Sequence, residues 1–185
     1  MGSLKGIDIR SMGSGNAGGT NAFRTQGAIF ALCVVFIDIL KGYLATYYIS
    51  GDFGQGNFLG ILCGIAAVLG HVYPIYYNFK GGKGAGTLVG ILIGLYPLGL
   101  LISFLIWLII LVLSGYVGLS TILAGISFPI IVYYQNFMGG LGSPIGQFGI
   151  VMALFLIFTH RSNIVRMING DENRFEKVMI FRNFF

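Results

Sequence analysis

Apolar stretches long enough to cross a membrane alternate with short, glycine-rich polar clusters along almost the whole chain. A helix needs about 20 apolar residues to span the hydrocarbon core. On that measure residues 27–49, 56–77, 97–113, 119–134 and 147–159 read as apolar helices, and 86–95 as a shorter one. The stretch 86–113 is too long for one upright helix and carries Tyr96-Pro97 near its middle. An interior proline removes a hydrogen bond and breaks or kinks a helix, which predicts the split into 86–95 and 97–113. The split also sets parity: with it, Lys83 and His160 fall on one side of the membrane, and without it on opposite sides. The pattern predicts an all-α integral membrane protein, a polytopic helix bundle of about six spans forming a single membrane-embedded domain over residues 1–185. Residues 1–26 read as a polar loop and 160–185 as a polar tail.

Composition removes the soluble alternatives. Of 185 residues, 56% are hydrophobic and 9% charged, and the mean hydropathy is +0.85. The net charge of +5 does not mark a nucleic-acid partner, because the basic residues lie in short loops between apolar spans. With six spans, ten of the 11 Lys and Arg fall on one face, Lys41 being the exception. That asymmetry predicts a cytoplasmic orientation for the polar clusters and contact with the lipid bilayer. Inside the first span Asp38 and Lys41 stand at i, i+3 on one helix face, where they are expected to pair as structural support. Cys33 and Cys63 lie inside apolar spans without metal or pairing spacing. The polar run Met1 to Arg10 is no signal peptide, and Gly6 spoils the myristoylation pattern opened by Gly2.

The candidate chemistry sits in three clusters. In the middle one an apolar segment ends at Gly70-His71 and becomes a loop with Lys80, Gly81, Gly82, Lys83, Gly84 and Gly86. Glycines let successive N–H groups converge on one point, two lysines add charge, and a helix opening near Ala85 adds its unpaired first-turn N–H groups. This predicts an anion seat, with His71 supporting the loop. The first cluster offers Ser14, Asn16, Thr20, Asn21 and Arg24. Its Gly13-x-Gly15-x-x-Gly18 is not a dinucleotide fingerprint, since no strand precedes it and no βαβ unit follows. The third runs from His160 and Arg161 through Asn163 to Gly170 and Glu172. Neither histidine has the aspartate of a His-x4-Asp acyltransferase, Tyr76 and Val165 standing in its place. No Gly-x-Ser-x-Gly elbow, Walker loop, zinc spacing or paired carboxylates occur, so an enzyme built here works by positioning and electrostatic stabilisation without a cofactor or metal.

Ser14-Gly15-Asn16-x-Gly18-x-Thr20-Asn21, then Gly70-His71-x-x-Pro74-Ile75 through Phe79-Lys80-Gly81-Gly82-Lys83-Gly84-x-x-Thr87, then His160-Arg161-x-Asn163-Ile164 with Gly170-x-Glu172, resemble in order the three motifs of the bacterial PlsY family, the acyl-phosphate:glycerol-3-phosphate acyltransferases. The resemblance implies an inner-membrane enzyme of seven helices with its site at the cytoplasmic face. It implies transfer of a fatty acyl group from acyl phosphate to the 1-hydroxyl of sn-glycerol 3-phosphate, and a link to the enzyme that makes acyl phosphate from acyl carrier protein. Under it, Lys83 and the glycine loop hold a phosphate together with Lys80. Arg24, Asn163 and His160 clamp the glycerol phosphate, and Ser14, Asn16, Thr20, Asn21 and Glu172 complete the site. Two departures stand out. The family's first helix has no counterpart before the first motif, and Gly118 replaces one of the serines expected over 116–121, leaving Ser120 and Thr121 to serve. The competing readings are a membrane transporter or channel for a small anion, in which broken helices also bind ions, and an inactive truncated membrane protein.

Overall fold

The computed structural model describes residues 6–51 and 58–180, and every regular element among them is helical. The turn expected around Asp52, the start of a span at Gly56, Lys5 and Arg182 lie outside the described residues. The chain divides into two compact units, Met1–Leu95 and Tyr96–Phe185.

In the first unit the polar opening is not all loop. It contains helix α1, Gly19–Gln26, followed through Gly27 by α2, Ala28–Tyr43. A π-helical turn, Leu44–Ile49, extends α2, and Tyr43, Tyr47 and Tyr48 pack ring against ring there. Such aromatic clusters suit a membrane–water boundary. Helix α3, Phe58–Val72, returns toward the glycine loop, from which α4, Ala85–Leu95, departs. The closest packing is α2 against α4, and it runs through glycine. A methyl added at Gly90 would lie 1.9 Å from the Ile39 carbonyl oxygen, and one at Gly42 would lie 2.2 Å from that of Thr87. Only the absence of side chains lets the two backbones meet. The contacts advance together, Gly86 against Asp38 and Gly94 against Thr46, so α4 runs parallel to α2 and begins level with Asp38. That level is about 15 Å along α2 from Ala28 at 1.5 Å per residue. The stretch of α2 above it packs on α1 through Phe30, Ala31 and Ala22, with Ile9 closing the cluster.

In the second unit α5, Pro97–Ser114, starts on the proline that splits the long apolar stretch, and Tyr96 just before it is non-helical (φ −156°, ψ 76°). Proline suits the first helical turn because its missing N–H has no intrahelical role there. Tyr96 is buried, stacked on Phe137 at 3.7 Å and edge-on to Phe128, with its hydroxyl on the Gln135 side chain. Helix α6 is Val117–Tyr134. Ser143 caps α7, Pro144–Thr159, which bends by 51° at His160 into α8, Arg161–Asn169. The tail expected from His160 onward is therefore helical for its first part. Gly170 (φ 79°) then turns the chain back, and Phe175 N–H bonds the Gly115 carbonyl in the α5–α6 turn.

Among the described residues four helices are long and apolar enough to cross a membrane, Ala28–Ile49, Phe58–Tyr77, Pro97–Ser114 and Val117–Tyr134, and α7 with α8 makes up to five. Helix α4 is shorter, at 11 residues. Its length of about 16 Å is roughly half the hydrocarbon thickness. Large apolar side chains such as Ile29, Leu32 and Phe36 on α2 and Leu101, Phe104 and Leu105 on α5 point outward, as lipid contact requires.

The glycine crossing sets a test. Gly90→Ala should lower stability by about 1–3 kcal/mol through overpacking. Gly70→Ala, where an added methyl meets nothing within 4 Å, should stay within about 0.5 kcal/mol of wild type. Thermal unfolding in detergent measures both, and equal melting temperatures would refute the backbone contact.

Candidate active site

The first cluster is organised by one buried amide. Asn21 is 2% exposed; its Nδ2 donates to the carbonyls of Ile9 (2.9 Å), Met12 (3.0 Å) and Asn16 (2.9 Å), and its Oδ1 accepts from Ser14 N–H (2.9 Å). Asn16 Oδ1 accepts from Gly18 N–H at 2.8 Å and turns the chain into α1. The Asn21 and Asn16 side chains thus hold the loop in shape, because a segment of glycines has few other ways to satisfy its backbone. Ser14 is exposed, while Thr20 and Arg24 are half-buried one turn apart on α1. Just upstream Arg10 grips Asp8 through two bonds (2.8 and 2.9 Å) and lies 4.4 Å over the Tyr77 ring, tying this segment to the middle cluster. The Arg10 hydrogen bonds hold the Asp8 carboxyl below its usual range, and Asp8 raises Arg10 in turn.

In the glycine loop, Gly81 N–H donates to the Val72 carbonyl (3.1 Å) and Gly82 N–H to the His71 carbonyl (3.2 Å). A methyl at Gly81 would lie 2.0 Å from the His71 carbonyl oxygen, and one at Gly82 would lie 2.0 Å from His71 Nε2. These two glycines allow close packing on the end of α3, and their N–H groups turn inward. The anion seat expected across the whole loop narrows to its far end: half-buried Lys83, Gly84 (φ 89°) and the first turn of α4, whose N–H groups lack intrahelical partners. Lys80 is exposed on the near side. Beneath the loop Lys41 Nζ bonds Asp38 Oδ1 (2.6 Å) and also His71 Nδ1, which itself lies 3.4 Å from Asp38 Oδ1. A cavity of ≈ 550 Å³ lies against this group, walled by Arg10, Phe30, Val34, Tyr77 and Lys80. The loop thus sits level with the middle of α2.

In the second unit His160 occupies the bend between α7 and α8 and is 5% exposed. Its Nδ1 lies 2.9 Å from the Leu156 carbonyl, which can only accept, so Nδ1 carries the proton and Nε2 is the ring's acceptor. Asn163 Nδ2 donates to Glu172 Oε1 (3.0 Å), and Arg166 Nε donates to Glu172 Oε2 (2.7 Å). Glu172 is buried, with one carboxylate oxygen on Asn163 and the other on Arg166. Arg166, left out of the sequence-derived site, is the cation that balances it; the helical i to i+6 reach past the Gly170 turn hid the pair. Thr121 donates to the Val117 carbonyl (2.8 Å) and accepts from Trp107 Nε1 (3.2 Å), and Ser120 donates to the Tyr116 carbonyl (2.8 Å). Both hydroxyls thus donate to carbonyls four residues back along the chain. Gly118 itself packs on Asn163, an added methyl lying 2.9 Å from its side chain. Thr87, in the first turn of α4, was also missed: its hydroxyl is fully buried and has no hydrogen-bond partner among the described residues.

A family profile described as glycerol-3-phosphate acyltransferase matches residues 1–170. The chain belongs to that family. A glycerol-3-phosphate acyltransferase of Chlorobaculum tepidum is 41% identical over 199 residues, covering 92% of this chain and 86% of the relative, and one of Chlorobium phaeobacteroides is 41% identical over 202 residues with the same coverage. Among solved structures, PlsY (YgiH), an integral membrane glycerol 3-phosphate acyltransferase in its glycerol 3-phosphate form, is 37% identical and superposes with a TM-score of 0.86, covering 94% of this chain and 85% of that one. Its lysophosphatidic acid form gives 0.82. This chain is accordingly a PlsY-type acyltransferase and a multi-pass membrane protein, and the carrier reading falls.

Within this acyltransferase the polar networks should be separable from the chemistry. Asn21→Ala strips a donor from three carbonyls and should cost about 1–3 kcal/mol. Limited proteolysis should then cut within residues 6–18, while α2 to α4 stay protected. Resistance equal to wild type would show that Asn21 does not hold the loop.

Proposed function

We propose that this chain transfers a fatty acyl group from acyl phosphate to the 1-hydroxyl of sn-glycerol 3-phosphate, releasing lysophosphatidate and phosphate, at the cytoplasmic side of a bacterial inner membrane. The observation that carries the reading is the inward turn of Gly81 and Gly82. It fixes the loop from below and leaves Lys83 and the α4 N-terminus as a rigid cationic end suited to phosphate. The family match and a relative solved with glycerol 3-phosphate support the acceptor. In this reading Lys83, Gly84 and Lys80 hold phosphate, Arg24 and Asn163 bind the glycerol phosphate, and His160 offers Nε2 as an acceptor to a hydroxyl.

Acyl phosphate is an activated mixed anhydride. The glycerol oxygen bonds to the acyl carbon, the bond from that carbon to the phosphate oxygen breaks, and the hydroxyl proton leaves on the departing phosphate. Positioning replaces a dedicated strong base, consistent with the lack of a His-x4-Asp pair. The enzyme that forms acyl phosphate from acyl carrier protein supplies the donor.

Purified protein in lipid should form lysophosphatidate from acyl phosphate and glycerol 3-phosphate, with acyl-CoA unable to substitute; turnover with acyl-CoA alone would sink the donor assignment. Lys83→Ala should lose a contact of about 1.5–3 kcal/mol, or roughly tenfold to hundredfold in kcat/KM. Lys83→Arg should recover only part of that. Full activity of Lys83→Ala would remove the loop from the mechanism.

The orientation has its own check. A cysteine placed near Gly140 should react with an impermeant reagent in intact cells, and cysteines near Arg24, Lys83 and Arg174 should not. Labelling at Lys83 from outside would reverse the assignment.

A further inference from the structure

The ionic group beneath the glycine loop selects a proton position. Lys41 Nζ donates to both Asp38 Oδ1 and His71 Nδ1. An ammonium has donors only, so the Nδ1 facing it must be an acceptor, and the neutral ring carries its proton on Nε2. Asp38 Oδ1 lies 3.4 Å from the same Nδ1 and would favour the opposite arrangement, with Nδ1–H donating to the carboxylate. Lys41 stands between the two outcomes. The choice reaches the loop because Nε2 lies directly under Gly82, where an added methyl would sit 2.0 Å from it. With the proton on Nε2, the ring turns an N–H edge toward the loop. With the proton on Nδ1 it turns a lone pair there, beneath a segment that is to hold an anion.

We propose that Lys41 is a positioning residue for acyl transfer: it fixes His71 as the Nε2–H tautomer, and through that ring it sets the glycine loop between Gly82 and Lys83. The proposal rests on the reading of this loop as the phosphate seat. Its first test needs no substrate, so it fails or stands separately from the donor assignment.

The chain has 2 histidines, so the 15N spectrum of histidine-labelled protein in lipid contains two imidazoles, and His71→Gln assigns them. Wild-type His71 should show the Nε2–H pattern, and Lys41→Met should move the proton to Nδ1. An Nδ1–H pattern in the wild type, or no change in the variant, overturns the proposal. Kinetics give the second readout. Lys41→Met should lower kcat/KM about tenfold to hundredfold, as small misplacements of a catalytic group do. In the His71→Gln background the same change should cost less than about threefold, because the residue through which Lys41 acts is gone. Equal losses in the two backgrounds would mean that Lys41 acts independently of His71. Where Lys41→Met does not insert, Asp38→Asn serves: Lys41 alone should keep the Nε2–H pattern, and a switch to Nδ1–H refutes its role.

Discussion

When two helices cross through glycines, their backbones touch, and a polar side chain at the crossing has only its protein neighbours for partners. The approach of α2 to α4 at Gly42, Gly86 and Gly90 does this to Asp38. Its carboxylate is buried against the start of α4 and is satisfied by Lys41 from one turn along α2. Lys41 in turn engages His71 at the end of α3, and the His71 and Val72 carbonyls take up the first two glycine N–H groups. The geometry of the glycine loop is therefore inherited, step by step, from a steric condition several residues away. A larger residue at the crossing would displace the carboxylate, the ammonium, the imidazole and the loop in sequence.

The polar residues of the three clusters divide by what surrounds them. Asn21, Asn16, Glu172, Thr121 and Ser120 each meet a backbone group or an opposing side chain within hydrogen-bond distance and act as internal fastenings. Arg24 is a cation on α1, the helix that Asn21 anchors, and Lys80 and Lys83 are cations on the loop that the Gly81 and Gly82 N–H groups fasten to the end of α3. A site for doubly charged substrates needs both classes. A phosphate draws flexible lysines toward itself at an entropic cost, and that cost falls when the backbone beneath them is already fixed.

Much of this was legible in the chain, and for definite reasons. Pro97 announces the break between α4 and α5 because its ring is incompatible with a continuous helix, and Asp38 and Lys41 announce their pairing because few alternatives exist inside an apolar span. The Gly81 and Gly82 N–H directions were not legible. Glycine permits both an open nest and a tight packing contact, and only the position of the His71 carbonyl decides between them. Helix α1 was hidden by its glycine-rich approach, since its anchor, Asn21, bonds to carbonyls five to twelve residues upstream. The Arg166–Glu172 pair was hidden because Gly170 reverses the chain between them.

The level of the glycine loop, about 15 Å along α2 from Ala28, governs how the site sees the ions of the surrounding solution. Charges at a membrane surface are shielded by dissolved salt over roughly 8–10 Å. On the function proposed above, a phosphate held at the level of Asp38 would have the walls of α2, α3 and α4 around it in place of part of that ionic atmosphere, and its attraction to Lys83 would act through a weaker dielectric. The grip at such a loop would then change less than a surface contact does as the salt around the cell changes.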